Sequence, residues 1–420
     1  MKFRPFRTTM SGEKIFEGVF AVHKPQGVTS ADVLRHLQKH FNPSKLFQPW
    51  LEDERARRRR ESKYQRNRRR DKRLEVKIGH GGTLDPLATG VLIAGVGKGT
   101  KHLSDFLACT KTYETVVLFG AETDTYDRLG RVVRRAPYGH ITREAVEKAL
   151  ERFRGRIMQR PPIFSALRVQ GKKLYEYARE GKEPPIEIQA RPVEVTKLEI
   201  VEWYEPGTHD YRWPEEEMAG EERAVAEKML DKDSSVPVAS EAEAREVEAS
   251  SSKRKSPPAA TPGGDRADEA GAEPSKRQKT TAETASGEVE QQEHEQREEP
   301  LPQPPAVKLT MTVSSGFYVR SLAHDLGKAV GSCGLMSSLV RSRQGDFELA
   351  PDRVLEYADL ERGEEVWGPK VRRFLEEWME KREAAAAAAE AEAGAEAEAG
   401  DAAGAETKKE EEEDEGSKKE

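Results

Sequence analysis

The sequence predicts an α+β fold, because strands and helices are mixed along the chain without a regular β–α–β alternation. Strand-like alternation of apolar and polar residues occurs in IFEGVFAVHKP, KTYETVVLFG and VEVTKLEIVEWY. Apolar residues at helical spacing occur in TSADVLRHLQKHF, ITREAVEKALERF and the shorter GKKLYEYAREG. This order of elements disfavours a doubly wound parallel sheet.

The individual elements follow from their local patterns. Thr29 or Ser30 is expected to cap the first helix, because a hydroxyl oxygen accepts a hydrogen bond from a free backbone N–H of the first turn. Thr142 opens the next long helical pattern. VKLTMTVSSGFYVRSLAHDLGKAVG is predicted to be a strand followed by a helix, and the last folded piece spans about 351–382.

Three stretches fall outside this folded pattern. Residues 43–73 form a basic Arg-rich insertion, residues 206–306 are rich in Glu, Ala, Ser, Pro and Lys, and residues 383–420 form an acidic Ala/Glu tail. The last two are predicted to be disordered, since they bury too little apolar surface to offset the entropy of ordering. The middle stretch would then be a very long connection between two strands. The remaining segments are predicted to form one folded domain, 1–42 and 74–205 plus 307–382.

Charge is segregated along the chain. The 420 residues are 35% charged and the net charge is only −6, but residues 55–73 carry twelve Lys or Arg against two acids, and residues 383–420 carry fourteen acids against four lysines. Such a basic stretch is typical of a region that faces a polyanion.

Cysteine usage and hydropathy exclude several classes. Cys109 and Cys333 are far apart and form no C-x-x-C pattern, which argues against a zinc site and against a disulfide framework. The sequence contains no apolar run of about 18 residues, so no membrane span is expected.

The chemistry is expected in GHGGTLDPLATGVL, residues 79–92, where Asp85 is the only acid. In an apolar setting its charge must be paired, or its pKa rises. His80 is the only nearby residue of metal-ligand type, so a nucleophile or base is favoured over a metal ligand. A turn-capping role, common for Asp before Pro, fits the local sequence equally well.

The adjoining GVLIAGVGKGT does not form a nucleotide-binding P-loop. Leu92 stands where the pattern needs its first glycine, and Gly99 stands where it needs Ser or Thr. Nucleotide hydrolysis is therefore disfavoured.

Five motifs, in the same order, resemble those of the TruB family of pseudouridine synthases. They are HKPQGVTS (23–30), GHGGTLDPLATGVL (79–92), KTYETVVLFGAETDTYDRLG (111–130), PPIFSALRVQGKKLYEYAREG (161–181) and SSGFYVRSLAHDLG (314–327). Together they cover nearly all of the folded residues. The resemblance implies the pseudouridine synthase fold, in which a mixed, mainly antiparallel central sheet is flanked by helices.

The resemblance also implies an activity, the isomerisation of the T-loop uridine of tRNA, position 55, to pseudouridine. The uracil of a flipped-out nucleotide is detached from its ribose, turned and rejoined through C5. No metal and no organic cofactor are expected, because the reaction is an isomerisation without a redox change.

Residues of this chain take the family's roles by position. Asp85 matches the nucleophile, and whether it attacks the sugar or the base stays open. Arg320 matches the arginine that pairs with the aspartate, and Tyr113 matches the tyrosine that packs on the target base and is implicated in deprotonating C5. The loop glycines are expected to let the backbone approach RNA, and the apolar run after Asp85 to line the uridine pocket. Further residues expected to bind substrate or support the site are His80, Lys24, Gly82, Thr83, Tyr318 and Leu339.

Two features depart from the family pattern. Bacterial members carry a C-terminal RNA-binding PUA domain, and none is expected here. The tract from Arg55 to Arg73 is absent from the compact family core; it is expected to contact tRNA phosphates, or to act as a nuclear address. KRK (253–255) and SKRQK (275–279) are candidate nuclear addresses as well.

The basic start MKFRPFRTTM is either a transit segment or a frayed end, and Met10 could serve as a second start. The expected location is intracellular: the nucleus, the mitochondrion or both, with the cytoplasm as an alternative. The expected partner is the tRNA T-arm, with other RNAs including mRNA as further candidates. No membrane and no guide RNA are expected, and the chain is expected to be a monomer.

Two other interpretations stay open. One is a guide-RNA-dependent H/ACA-type synthase, which normally keeps a PUA domain and reads DPKVTG where this chain reads DPLATG. The other is a non-catalytic RNA-binding or RNA-chaperone protein on the same fold, against which the intact set of Asp85, Tyr113 and Arg320 argues.

Overall fold

A ten-stranded sheet forms the centre of the protein. The computed structural model describes residues 7–9, 11–69, 73–180, 182, 184–233 and 303–416. Two small two-stranded sheets accompany the large one. The strands are β1 Gly18–Lys24, β2 Ile78–His80, β3 Thr89–Val96, β4 Lys111–Phe119, β5 Ala121–Thr123, β6 Val132–Arg135, β7 Gly155–Gln159, β8 Arg168–Val169, β9 Lys172–Lys173, β10 Arg191–Tyr204, β11 Ala306–Val313, β12 Gly334–Gln344, β13 Phe347–Glu348 and β14 Leu355–Glu356.

Helices flank this sheet. The α-helices are α1 Ser30–Phe41, α2 Gln48–Arg59, α3 Lys63–Arg69, α4 Leu103–Ala108, α5 Arg143–Leu150, α6 Leu174–Arg179, α7 Gly220–Asp233, α8 Val319–Ala329 and α9 Glu364–Gly416. Short 3₁₀ helices span Gly97–His102, Glu151–Phe153 and Tyr357–Arg362.

The large sheet has the order β14-β1-β3-β12-β4-β11-β10-β7, with β13 paired to β12 and β2 paired to β3. Only β1–β14 and β3–β12 are parallel among its described pairs; the others are antiparallel. The predicted α+β fold with a mixed, mainly antiparallel sheet is therefore confirmed. The chain leaves the sheet at Tyr204 and returns at Ala306 on the neighbouring strand, as predicted for a long β–β connection.

Helix α1 shows how the sequence specifies these elements. Thr29 is its N-cap and accepts a hydrogen bond from Asp32 N at 3.1 Å. Val33, Leu37 and Phe41, spaced four residues apart, are fully buried. Each such side chain contributes about 1.5–3 kcal/mol when it leaves water, so this face fixes the helix on the sheet.

The start of the predicted Arg-rich insertion belongs to the core. Phe47 is fully buried and stacks on Phe41 at 4.5 Å between ring centroids, and Trp50 donates a hydrogen bond to Glu17 Oε1 at 2.9 Å. The boundary at residue 43 was wrong, because the apolar FQPWL segment was grouped with the arginines that follow it. Residues 70–72 of the insertion lie outside the described residues.

Defined structure also continues past the predicted boundary at 206. Trp213 donates its indole N–H to Phe119 O at 2.9 Å. Leu230 of α7 is buried against Tyr126 and Val133. The few apolar residues of this stretch reach pockets made by distant segments, which local composition does not reveal. Residues 234–302, including both KRK and SKRQK, lie outside the described residues.

The tail was predicted to be disordered, but α9 continues to Gly416. Ala and Glu both have high helix propensity, which favours a helical backbone in this segment. Its first part is the packed one, with Trp367 and Leu375 buried. Within the described ranges, no helix is long and apolar enough to cross a membrane. Residues 1–6, 10 and 417–420 are not described.

Candidate active site

Asp85 lies on the loop between β2 and β3, at the point where the chain enters the centre of the sheet. Its side chain is 34% exposed. Leu84, Leu87 and Ala88 around it are buried. The backbone turns tightly here, with Ala88 N donating to Asp85 O at 3.1 Å. The carboxylate is thus the polar tip of an apolar turn.

The glycines of this loop serve packing within the protein. A Cβ on Gly79 would lie 2.9 Å from Leu103 Cδ1, and a Cβ on Gly81 would lie 2.9 Å from Phe106 Cβ. Gly82 has a φ of +137°, which side chains rarely adopt. The expectation that these glycines exist to admit RNA backbone therefore lacks support at Gly79 and Gly81.

The apolar run after Asp85 was expected to line a uridine pocket, and this was wrong for most of it. Val91, Leu92 and Ile93 have no exposed surface, because β3 lies between β1 and β12 inside the sheet. Only the residues before β3 are near the half-exposed carboxylate.

The first motif fastens the Asp85 loop from the side of β1 and α1. Lys24 is fully buried and its Nζ donates to three backbone carbonyls, Pro25 O at 2.9 Å, Ala88 O at 2.6 Å and Pro86 O at 3.4 Å. Ser30 Oγ donates to Leu84 O at 3.0 Å and accepts from Leu84 N at 2.9 Å. The structure therefore places Lys24 as a support of the loop.

Burial lowers the pKa of Lys24 from 10.5 to about 8, although the Asp85 carboxylate opposes this shift. A charged amine in a buried place is costly unless it is well bonded. The three carbonyls that it joins supply that bonding, so the ammonium form persists at neutral pH.

Strand β12 holds the same loop from the other side, through two residues that the sequence analysis missed. Arg341 is 1% exposed and donates to Val91 O at 2.7 Å, with longer contacts of 3.4 Å to Gly82 O and to Thr83 O. Gln344 is fully buried and donates to Gly81 O at 2.6 Å. The sequence GLMSSLVRSRQ mixes apolar and polar residues, so it does not reveal which of its polar side chains are buried and bonded to backbone.

Arg320 pairs with Asp85, although the two residues lie on opposite sides of the 206–306 stretch in the sequence. Its Nε lies 2.9 Å from Asp85 Oδ2, and its Nη2 donates to Asp85 Oδ1 at 3.3 Å. Arg320 is 6% exposed, and its guanidinium donates to Thr125 O at 3.0 Å and to Phe164 O at 2.9 Å. Because arginine stays charged at any ordinary pH and presents a planar fork, it compensates and orients the carboxylate.

A second carboxylate, Asp127, lies near the same guanidinium and was also missed. It is 6% exposed and accepts hydrogen bonds from Thr125 Oγ1 at 2.9 Å and Leu129 N at 3.0 Å. Burial raises the pKa of Asp127, while Arg320 opposes the shift and Asp85 adds to it. Asp127 closes the turn that presents Thr125 O to Arg320, so it acts as a support of the pair.

Tyr113 and Leu339 lie on neighbouring strands. Tyr113 on β4 is directly opposite Arg341 on β12, and Leu339 is opposite Thr115. Opposite residues of an antiparallel pair project to the same face, so Tyr113, Leu339 and Arg341 share a face. Tyr113 is half-buried and Leu339 is buried. Both strands thus lead to the Gly82–Thr83 segment that Arg341 contacts.

The remaining predicted site residues lie around this centre. His80 ends β2 and is half-buried, and burial lowers the pKa of its imidazole, so the ring is neutral at pH 7. Tyr318 precedes α8, where Gln159 bonds both its N–H, at 2.7 Å, and its carbonyl, at 3.0 Å. Thr83 is exposed two residues before Asp85, and Gly82 is buried beside it.

The arrangement can present one oriented, partly accessible carboxylate to a substrate. Its charge is compensated by the paired Arg320, with the buried Lys24 ammonium nearby, and the carboxylate side chain still keeps 34% of its surface exposed. Such a group can act as a nucleophile or as a general base.

Comparisons with known proteins point to one family. Residues 69–213 match the model of the TruB family pseudouridylate synthase (N terminal domain). The chain is 40% identical over 361 residues to tRNA pseudouridine synthase 4 of Schizosaccharomyces pombe, a match that covers 82% of each chain. It is 32% identical over 376 residues to tRNA pseudouridine synthase 4 of Saccharomyces cerevisiae, covering 86% of this chain and 85% of the relative.

A solved structure shows a more distant likeness. A chain of an H/ACA RNP bound to a substrate RNA containing 2′-deoxyuridine is 16% identical, with a TM-score of 0.40, over 89% of this chain and 64% of that chain.

Proposed function

The chain belongs to the TruB family of pseudouridylate synthases, and on that premise we propose that it isomerises the T-loop uridine of tRNA, position 55, to pseudouridine. Both fungal relatives are named as tRNA pseudouridine synthases, which supports tRNA as the substrate. The observation that carries the proposal is the Asp85–Arg320 pair, a partly exposed carboxylate oriented at 2.9 Å by a buried guanidinium.

In this proposal Asp85 is the nucleophile and Arg320 keeps it ionised and directed. The target uridine leaves its stack to reach the carboxylate, at a cost of a few kcal/mol that is smaller in a loop than in a duplex. Tyr113 packs on the extruded base, and the buried Leu339 lies beneath it. His80, Gly82, Thr83 and Tyr318 contact the flipped nucleotide or its neighbours.

Basic helices beside the core supply the proposed phosphate contacts. The first turns of α2 are buried through Trp50 and Leu51, whereas Arg55, Arg59 and Lys63 are exposed beyond them. Lysine and arginine contacts to phosphate contribute affinity without reading sequence. We therefore assign α2 and α3 to the tRNA backbone, outside the catalytic centre.

The proposal is tested by position-resolved mapping of pseudouridine in an unmodified tRNA transcript incubated with the purified full-length protein. Product at position 55 without any guide RNA is the expected result. Product only when a guide RNA is supplied would indicate an H/ACA-type enzyme instead. Stoichiometric binding without product under either condition would indicate a non-catalytic RNA-binding protein. A T-loop transcript with the target uridine replaced by cytidine is the matched substrate control.

A further inference from the structure

Two histidines of α1 and a glutamate from a distant segment converge on one another. His36 and His40 are one helical turn apart, and Glu361 lies on the 3₁₀ segment Tyr357–Arg362. His36 Nε2 is 2.7 Å from Glu361 Oε1 and 3.1 Å from His40 Nε2, and His40 Nε2 is 3.8 Å from Glu361 Oε1. Three donor atoms therefore surround one point.

These distances match the edges of a metal-coordination polyhedron. Zinc–nitrogen and zinc–oxygen bonds of about 2.0–2.1 Å at tetrahedral angles place neighbouring ligand atoms roughly 3.3 Å apart. The three observed separations, 2.7, 3.1 and 3.8 Å, lie on both sides of that value. Small side-chain rotations would equalise them, since Glu361 is exposed and both histidines are partly exposed.

Hydrogen bonding alone accounts less well for this arrangement. Both imidazoles present Nε2 to one carboxylate oxygen, so one proton cannot satisfy both rings, and two protonated rings would repel each other at 3.1 Å. The rings also pack together: His36 meets His40 edge-on at 4.7 Å and lies tilted against Tyr357 at 4.9 Å between ring centroids. A single divalent cation satisfies both Nε2 lone pairs and the carboxylate at once.

We propose that His36, His40 and Glu361 bind one zinc ion, with a fourth position open to solvent. Imidazole nitrogen with one carboxylate is a donor set that suits zinc. The cysteine pattern had argued against a zinc site, and no metal was expected; this proposal departs from both, because histidines alone supply the nitrogen ligands. The site is independent of the proposed isomerase chemistry.

The proposed ion is structural. In the helical zinc-hydrolase pattern, a glutamate follows the first histidine and acts as general base. Here that position is Leu37, which is fully buried. The ion would join α1 to the 3₁₀ segment that leads into α9. Ser30, which holds the Asp85 loop, lies six residues before His36, roughly 9 Å along the helix, so the clamp would steady the helix that carries Ser30.

The test is zinc titration of the full-length, tag-free protein after removal of metal by a chelator. One zinc per chain is expected, with an affinity in the micromolar range. Outer-shell partners of metal-bound histidine are worth about 10–100-fold in affinity, and Nδ1 of His36 has no hydrogen-bond partner among the described residues. Cobalt(II) should give the visible absorption of a tetrahedral N/O site, and the Tm should rise with the logarithm of the zinc concentration above the Kd.

Two variants and one control decide the result. H40Q and E361Q should each weaken zinc binding at least about tenfold, since each removes one of three ligands. H23Q is the matched control, because His23 forms a histidine–carboxylate pair with Glu356 at 2.9 Å, and among the described residues this pair belongs to no group of three metal-ligand side chains; it should bind zinc like the wild type. Unchanged affinity in H40Q and E361Q, or no stoichiometric binding in the wild type, would overturn the site, whatever the result of the pseudouridine assay.

Discussion

The Asp85 loop and the basic helices are both proposed to meet RNA, yet the protein holds them in opposite ways. The loop is fixed from distant segments by Lys24, Ser30, Arg320 and Gln344, all of them buried. Helix α2 is buried through Trp50, Leu51 and Glu54, whereas Arg55 and Arg59 are exposed. Chemistry needs reacting atoms in one geometry, whereas phosphate attraction needs only charge within reach.

This contrast yields a rule for substitutions. Changes in the supports of the loop should lower kcat more than they raise KM. Changes on the basic helices should affect affinity and its salt dependence and leave kcat nearly constant.

Substituting Arg320 should have the largest effect among the supports. Arg320→Met leaves the Asp85 carboxylate without the cation that orients it, and a misplaced reacting group costs about 10²-fold, so kcat should fall by roughly 10²–10³-fold. Arg320→Lys should be intermediate, because a lysine cannot reach Thr125 O, Phe164 O and the carboxylate together. Single-turnover rates on tRNA are the measurement.

The control for Arg320 is Arg35→Met, which removes an exposed arginine paired with Asp32 on α1. Exposed pairs contribute little, so its rate should match the wild type. Equal rates for Arg320→Met and Arg35→Met would mean that the buried pair has no part in the reaction.

Gln344→Leu should lower kcat about 10–30-fold, because Gly81 O and Phe106 O lose their donor and an unpaired buried carbonyl costs about 1–3 kcal/mol. KM should change less than kcat. Gln38→Leu is the matched control, since Gln38 also donates to a carbonyl, Val76 O at 2.9 Å, but away from the loop. If the two variants show the same decrease in Tm and the same kcat, Gln344 contributes to the stability of the fold and has no separate role in catalysis.

Because of Lys24, we expect activity to fall and the free energy of unfolding to rise as the pH becomes alkaline. Its pKa is about 8 in the folded chain and 10.5 when exposed. Between these values the unfolded chain holds the proton that the folded chain has released, so the residue's contribution to the free energy of unfolding rises with pH. The neutral amine has too few N–H groups for three carbonyls, so kcat should fall about fivefold.

The measurement is a pair of pH profiles, kcat and urea unfolding, for the wild type and Lys24→Met. The difference in the free energy of unfolding between the two proteins should change between pH 8 and 10.5, and the difference in kcat should change around pH 8, where the folded amine loses its proton. Parallel profiles over that range would show that Lys24 does not titrate there.

Neutralising the exposed basic face should have the smallest effect on chemistry. Four substitutions to Gln should raise the Kd for tRNA about fivefold, leave kcat within about twofold and reduce the slope of log K against log salt by up to roughly 3. The substituted residues are Arg55, Arg59, Lys63 and Arg66.

A second quadruple variant, which replaces four exposed cations outside α2 and α3 by Gln, serves as the control for the basic helices. Its members are the exposed cations Arg143, Lys148, Arg152 and Arg156. It should keep both affinity and salt slope. Identical slopes for the two quadruple variants would remove α2 and α3 from the RNA interface and leave the nuclear-address interpretation of the tract.

The fold class and most element positions could be predicted from the sequence, because they depend on local periodicity. The Asp85–Arg320 pair could be predicted because each residue lies in a short motif that resembles one of the family. The sequence could not show Arg341 and Gln344, whose partners are backbone carbonyls more than two hundred residues earlier in the chain. It also missed the order in residues 206–233, where Trp213 and Leu230 fill pockets of distant segments. His36 and His40 drew no attention, because Glu361 meets them only in the folded chain.

The most direct test of the account is the T-loop pseudouridine yield of Asp85→Asn beside the wild type, at tRNA concentrations that saturate both. Asn keeps the shape of the side chain but removes the nucleophilic charge, so the account predicts a loss of turnover of roughly 10⁴-fold or more. Binding of tRNA should stay within about threefold, because the phosphate contacts are elsewhere. Turnover near the wild-type rate in Asp85→Asn, with normal binding, would contradict the assignment of Asp85 as the nucleophile.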